Sequence, residues 1–513
     1  MTNRKYLSIV ISISLVAFGL RLYRLGQIPV GFSSSEVALG YRALCLLKSS
    51  QGWTAFFRFR QINQSSLYSY LSVIPMLFLG ATEFAIRLPA AFLGGLSVFL
   101  IYILVKNIFS EFRENRLLAT IASLWLTLSF WHYDFSHSAG DANLYLVFLF
   151  FGLIFLFWVI QGKKGYFWLA LTCFIVAFYV GTSVRLIIFL TFLSFWFIYG
   201  KEFLLFNKAS LRKYTLVILT IGLLAIIWAN SSFPIIKNVV FHTDFHKSFR
   251  NFFLKYLNHF SPRFLFFEGD WQEKRFGLPD LGLLNYLDLF LLPIGTYFLI
   301  NQRIKNQSFL WVLILVSPLS ASFSSQAIDS EKAYLLILPL VIISSFGVLA
   351  LGLLIRKSRI WARCFLSIGL GLNYFFLFVL FWDRYFIHAP VANSQAWQYG
   401  YREAVSFVNN RKHSYNQVVF TNKYPSAQFY YYFYTNRFSD DLCSFNPPEN
   451  TRDNDNLEFR NLYWPVDRFQ KKTLYVAATY EIPETDIELQ QARILKDIYY
   501  LNGELAFRIV ETL

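Results

Sequence analysis

Charge is scarce in this chain: Asp, Glu, Lys and Arg make up 15% of its 513 residues, against ~25% in an average soluble domain. That shortage excludes an ordinary water-soluble fold. Acidic residues are the scarcer kind, 31 against 47 basic, for a formal net charge of +16. The basic residues are scattered through short loops and form no single basic face, which excludes a nucleic-acid-binding surface. The four cysteines, Cys45, Cys173, Cys364 and Cys443, match neither a disulfide framework nor a zinc spacing. No glycine-rich phosphate loop and no internal repeat is evident.

What the chain has in excess is apolar length. It is 56% hydrophobic and 20% aromatic, and runs such as Tyr6–Leu20, Leu144–Ile160 and Ala333–Ile355 are long enough, at ~1.5 Å per helical residue, to cross a bilayer core. The first run lacks a small-residue cleavage site and continues into Arg21 and Arg24, as expected of a retained helix and not a removed leader. Spans are predicted near residues 6–22, 84–105, 117–133, 142–160, 166–184, 185–200, 214–232, 284–300, 308–323, 333–355 and 360–382, about eleven in all. The apolar stretch Leu67–Glu83 is read as dipping in from the outer face. With that assignment Arg4, Lys5, Lys106, Arg113, Arg116, Lys163, Lys164, Lys201, Lys208, Arg212, Lys213, Arg303, Lys305, Arg356, Lys357 and Arg359 all fall on one side. The short loops opposite hold only Arg185 and Lys332. Basic loops stay cytoplasmic, so the amino terminus is expected inside.

The expected fold class is mainly α, a polytopic membrane core over residues 1–382 with outer loops 23–83 and 233–283. A small extracytoplasmic α/β domain follows over 383–513. The tail carries a helical pattern at Trp397–Val408, strand patterns at Gln417–Thr421 and Thr473–Thr479, and a hairpin turn at Asn502-Gly503.

Carboxylates at membrane depth are costly and tend to be functional. Glu36, just after the first span, is placed to take a proton from an acceptor hydroxyl; equally, Ser33-x-x-Glu36 before an apolar helical pattern is a capping box. Asp134 and Asp141 flank the short outer loop after the third span, where Ser138-x-x-Asp141 is a second possible cap. With His132 and His137 they offer donors for a divalent cation, although the spacing matches no strong metal motif and polar surface residues are the commoner explanation. The loop from His259 to Asp280 mixes cations and aromatic residues, as suits a phosphate-bearing amphiphile or an interfacial belt.

Together, the Pro29-Val30-Gly31-Phe32 stretch through Tyr41, Leu79–Pro89, Asp141, the Ser261–Gly282 loop, Ser317-Pro318-Leu319 and Trp397–Tyr401 resemble a bacterial branch of one superfamily. It contains the protein O-mannosyltransferases and the lipid A aminoarabinose transferase, with the membrane fold called GT-C. The resemblance implies sugar transfer from a polyprenyl-phosphate-linked donor to an acceptor hydroxyl on a lipid, glycan or protein at the outer membrane face, with inversion at the sugar carbon. The Asp of the family's acidic pair reads Ser35 here and only Glu36 matches; Phe276 stands where a histidine is expected. The implied roles are Glu36 as general base assisted by Asp141, with a divalent metal ion held by the same two residues. Arg87, Arg263, Lys274, Arg275 and Lys332 would neutralise the departing phosphate. A flippase of lipid-linked saccharides and a catalytically inactive relative serving as a binding subunit are the alternatives.

Overall fold

The computed structural model of the chain describes residues 3–48, 66–206, 245–439, 442–443, 451–452, 456–487 and 492–513. The expected span at 214–232 lies outside the described residues. Among the described residues helices dominate, with one six-stranded sheet. Among the described residues five helical stretches are long and apolar enough to cross a membrane: Arg4–Leu22, Glu83–Ile108, Ala142–Ile160, Tyr334–Lys357 and Ile360–Ala392. Shorter apolar helices cover Leu67–Leu79, Tyr166–Val180, Asp288–Asn301 and Gln307–Ser322. The chain is an integral membrane protein. Trp361, Phe365, Ile368, Leu372, Phe375 and Phe376 all project outward from the helix beginning at Ile360, an apolar surface that lipid solvates and water does not.

The chain divides into two compact units. The first comprises residues 1–21, 91–136 and 141–382. Its helices pack through small residues, as expected where lipid removes the hydrophobic drive between helices. Gly295 and Gly347 face each other's helices, and a Cβ on either would overlap the backbone at Ile343 or Leu291. Gly152 receives the Phe174 ring in the same way. The predicted span at 117–133 is broken: one helix runs Asn115–Thr127 and a separate short one Phe130–His137.

The second unit comprises residues 22–90, 137–140 and 383–513, so the tail shares a unit with the segment that follows the first span. Its sheet runs in the order β2-β3-β1-β4-β6-β5. Here β1 is Gln417–Thr421, β2 Thr451–Arg452, β3 Leu457–Arg460, β4 Thr473–Ala478, β5 Ala492–Tyr499 and β6 Leu505–Thr512. Strand β1 is parallel to both β3 and β4, while β6 pairs antiparallel with β4 and β5. Every residue of β4 is buried, which explains why Thr473–Ala478 reads as an unbroken apolar run. Val419, Trp464, Tyr475 and Val510 form the core on one face. The turn between β5 and β6 holds Gly503 at φ +87, a left-handed conformation that favours glycine.

Helix α1 of this unit, Ser34–Lys48, is buried from Glu36 to Leu46. It packs against helix α2, Ala427–Tyr434, with Tyr41 stacked on Phe429 at 5.4 Å. Cys45 and Cys443 are joined by a disulfide, which corrects the expectation that cysteine builds no framework here. The partners lie 398 residues apart, so no spacing rule exposes them. Among the described residues Cys173 and Cys364 are free.

Candidate functional site

In the second unit, the sequence Ser33-x-x-Glu36 forms the capping box it spells. The Glu36 backbone N–H donates to Ser33 Oγ at 3.2 Å, and the Ser33 N–H donates to Glu36 Oε2 at 3.2 Å. The cap is half of the role of Glu36. Arg87 reaches the same carboxylate from the helix Glu83–Ile108 (α3), donating from Nε to Oε1 at 3.1 Å and from Nη2 to Oε2 at 3.0 Å. The Ala139 N–H adds a bond to Oε1 at 2.6 Å. Four donors thus surround a carboxylate that is 1% exposed, filling about four acceptor directions.

Arg87 is fully buried and its fork is equally committed. Nη1 donates to the carbonyls of Pro29 (2.8 Å) and Leu25 (3.4 Å), and Nη2 also donates to that of Gly31. Its guanidinium lies over the rings of Phe32 and Trp397, at 5.5 and 5.6 Å. All five N–H groups of an arginine are accounted for, which leaves none for a phosphate. The pair instead clamps the segment after the first span onto α3. Ser35 sits half-buried one position away, its hydroxyl 3.0 Å from that of Ser33, on a different side of α1 from Glu36.

In the first unit, Asp141 stands at the N-cap of the helix Ala142–Ile160 (α4) in helical geometry, without a side-chain bond to the first turn of that helix. It is buried at 8% exposure. His132, offered as a metal donor, has both ring nitrogens taken: Nδ1 accepts from Arg21 at 2.7 Å, and Nε2 donates to Ser97 Oγ at 2.7 Å. Arg21 also donates to Ser136 Oγ, which accepts from Asn143, whose Oδ1 accepts from Tyr334. This buried polar web was missed by reading Arg21 only as the end of a span; its arginine within an apolar run was the available signal.

The expected cation at Glu36 and Asp141 does not fit the residues present. Glu36 is neutralised by a guanidinium, and among the described residues no three His, Cys, Asp or Glu side chains gather to hold an ion.

The remaining predicted cations lie in the first unit, around the loop after the helix Phe245–Asn258 (α5). Asp270 knits this loop to the segment 324–332. Its Oδ1 accepts from the Gln272 and Glu273 N–H groups, and its Oδ2 from that of Ser330 at 2.8 Å. Gln272 Oε1 accepts from the N–H groups of Ala327 and Ile328. His259 Nδ1–H donates to the Lys255 carbonyl at 2.8 Å, and Nε2 accepts the Asp329 N–H at 3.1 Å. Burial holds the His259 imidazole below its ordinary value and pushes the Asp270 and Glu331 carboxyls above theirs. Arg275 pairs with Glu273 at 2.7 Å and Lys332 with Asp329 at 2.8 Å, and both cations act electrostatically on Glu331. Arg263 pairs with Glu268 and lies over Trp271 at 4.2 Å, yet stays 55% exposed. Lys274 is exposed and makes no ion pair among the described residues.

The fold is that of the GT-C membrane glycosyltransferases. The chain is similar to the crystal structure of ArnT from Cupriavidus metallidurans in the apo state, with a TM-score of 0.57 and 12% identity over 99% of this chain and 98% of that one. The same enzyme bound to undecaprenyl phosphate superposes with a TM-score of 0.54 at 11% identity, over 99% and 98% of the two chains. An apo oligosaccharyltransferase from Archaeoglobus fulgidus matches over 85% of this chain and 64% of its own, with a TM-score of 0.50 and 10% identity. No protein-family model and no curated protein sequence matches the chain.

Proposed function

We propose that this protein transfers a sugar from a polyprenyl-phosphate-linked donor to an acceptor hydroxyl on the outer membrane face. The observation that carries the reading is the GT-C fold along nearly the whole chain; the ArnT structure with undecaprenyl phosphate supports the class of lipid carrier. In the proposed step an acceptor hydroxyl takes the place of the Ala139 N–H at Glu36 Oε1 and yields its proton to the carboxylate. The acceptor oxygen forms its bond to the sugar carbon from the face opposite the phosphate. The carbon–oxygen bond to phosphate breaks, and its electron pair leaves with the polyprenyl phosphate. Of the cations that the resemblance implies, Lys274 and the exposed Arg263 are the least committed to other partners, and the proposal gives them the role of stabilising that charge. Arg275 and Lys332 hold the loop through their own carboxylates, and Asp141 starts α4. Residues 22–90 and 383–513 belong on the outer face in this reading, which the Cys45–Cys443 disulfide supports, because such bonds persist in oxidising compartments.

A second reading has its own support. Ser35 replaces the acid that the resemblance implies, and the four donors on Glu36 satisfy it without any substrate, as in a relative that binds saccharide without turning it over. Glu36→Gln separates the two. It preserves shape and part of the cap but strands the Arg87 charge, so activity is compared per folded molecule, and the enzyme reading expects donor consumption to fall by roughly 10²–10⁴-fold on that basis. Undiminished consumption by this variant rejects Glu36 as the base.

A further inference from the structure

The second unit contains a cavity of about 610 Å³, inside the ~300–1,000 Å³ range of small-molecule sites. Gly26, Gly31 and Glu83 form one wall, and the turn Gln398–Gly400 with the helix Tyr401–Arg411 (α6) forms another. Its charges cancel. Glu83 pairs with Arg402, and Glu403 with Lys496 at 2.5 Å; among the described residues no other charged side chain lines it. Burial pushes the Tyr434 hydroxyl up to about 12, so at neutral pH it keeps its proton and donates to Glu83 at 2.8 Å.

Against this balanced lining one group stands out. The side-chain oxygen of Gln398 is buried with no hydrogen-bond partner among the described residues, and Gln398 holds the left-handed conformation at φ 48. A non-glycine residue in that region is strained and a buried unpaired carbonyl is costly; together they mark a group held ready for a donor. The turn cannot relax toward the opposite wall, because Gly31 packs so closely on the Trp397 carbonyl that a Cβ there would overlap it. Gly31 and Trp397 are also partners of Arg87, so the cavity lies one residue from the Glu36–Arg87 pair.

We infer that this cavity binds an uncharged saccharide, whose hydroxyls donate to Gln398 Oε1 and exchange hydrogen bonds with the paired acids and bases, while Tyr399 and Phe407 supply ring surface. A phosphate or other anion is disfavoured by the cancelled charge. The inference rests on the sugar-transfer reading only in naming the acceptor glycan as the occupant.

The test uses the full chain in detergent on a printed array of neutral oligosaccharides, with a tetrapeptide and inorganic phosphate as competitors. Gln398→Gly removes the amide and relieves the left-handed strain, so loss of binding cannot be assigned to misfolding. Ser406→Trp fills the cavity from an exposed position on α6. Retention of at least one glycan is expected, weakened about tenfold or more by either variant. Retention of no glycan, equal retention by both variants, or displacement by the peptide or phosphate overturns the inference. Glycan binding without donor consumption overturns the enzyme reading and leaves the saccharide site standing.

Discussion

At the residue scale, Glu36 shows how one carboxylate is both a local and a long-range device. Its capping role was legible, because Ser33 and Glu36 stand three apart before an apolar helix. Its partner was not: Arg87 lies 51 residues away, and nothing in an arginine near the start of a span distinguishes a buried clamp from a phosphate ligand. His132 failed in the opposite direction, since a His/Asp cluster reads as metal donors until Arg21 and Ser97 are seen on its two nitrogens. The clamp yields a prediction. Removing one member of a buried ion pair strands the other charge and costs ~3–5 kcal/mol. Arg87→Met is therefore expected to lower the thermal midpoint sharply, and adding Glu36→Leu to recover part of the loss. A single variant as stable as the parent would mean that the pair does not hold this unit together.

Among the elements, the strands were readable and their neighbours were not. The apolar run Thr473–Ala478 announces a strand, but its place between β1 and β6 depends on pairings that no local pattern encodes. The loop around Arg263–Lys274 was legible as cationic and aromatic, while the carboxylates that engage most of its cations were not. This loop carries a pH dependence. His259 is held neutral, accepting the Asp329 N–H at Nε2, and its value is lowered by burial. A depressed folded value means that its stabilisation is fully present above the ordinary histidine value of 6.5 and is lost as pH falls through the lowered one. Amide exchange at Asp329 and Ser330 should therefore accelerate on going from neutral to mildly acidic pH, and His259→Asn should remove that dependence. An exchange rate that ignores pH beyond its intrinsic chemistry, or a dependence that survives the substitution, contradicts the assignment.

For the whole molecule, composition alone showed that lipid is the main solvent, and the scattered basic loops supplied an orientation. The disulfide could not be foreseen from spacing, yet it bears on the same orientation, since Cys45 and Cys443 must meet an oxidising compartment. In a background with Cys173 and Cys364 replaced by Ser, an impermeant thiol reagent on intact cells should label Glu504→Cys and spare Lys164→Cys. The Cys45–Cys443 bond should at the same time give a mobility shift on reduction. Labelling at Lys164→Cys from outside would invert the topology and remove the outer-face reading with it.

The claim on which the rest depends is that the GT-C fold of this chain is used for sugar transfer. Its direct measurement is turnover of a panel of polyprenyl phosphate sugars by the purified full chain, with envelope extract as the source of acceptor. The parallel reaction contains Glu36→Gln. One donor should disappear with matching release of free polyprenyl phosphate, and the variant should be slower by roughly 10²–10⁴-fold. Consumption of no donor above the no-protein control would contradict the claim, leaving a membrane protein that keeps the transferase fold and not the reaction.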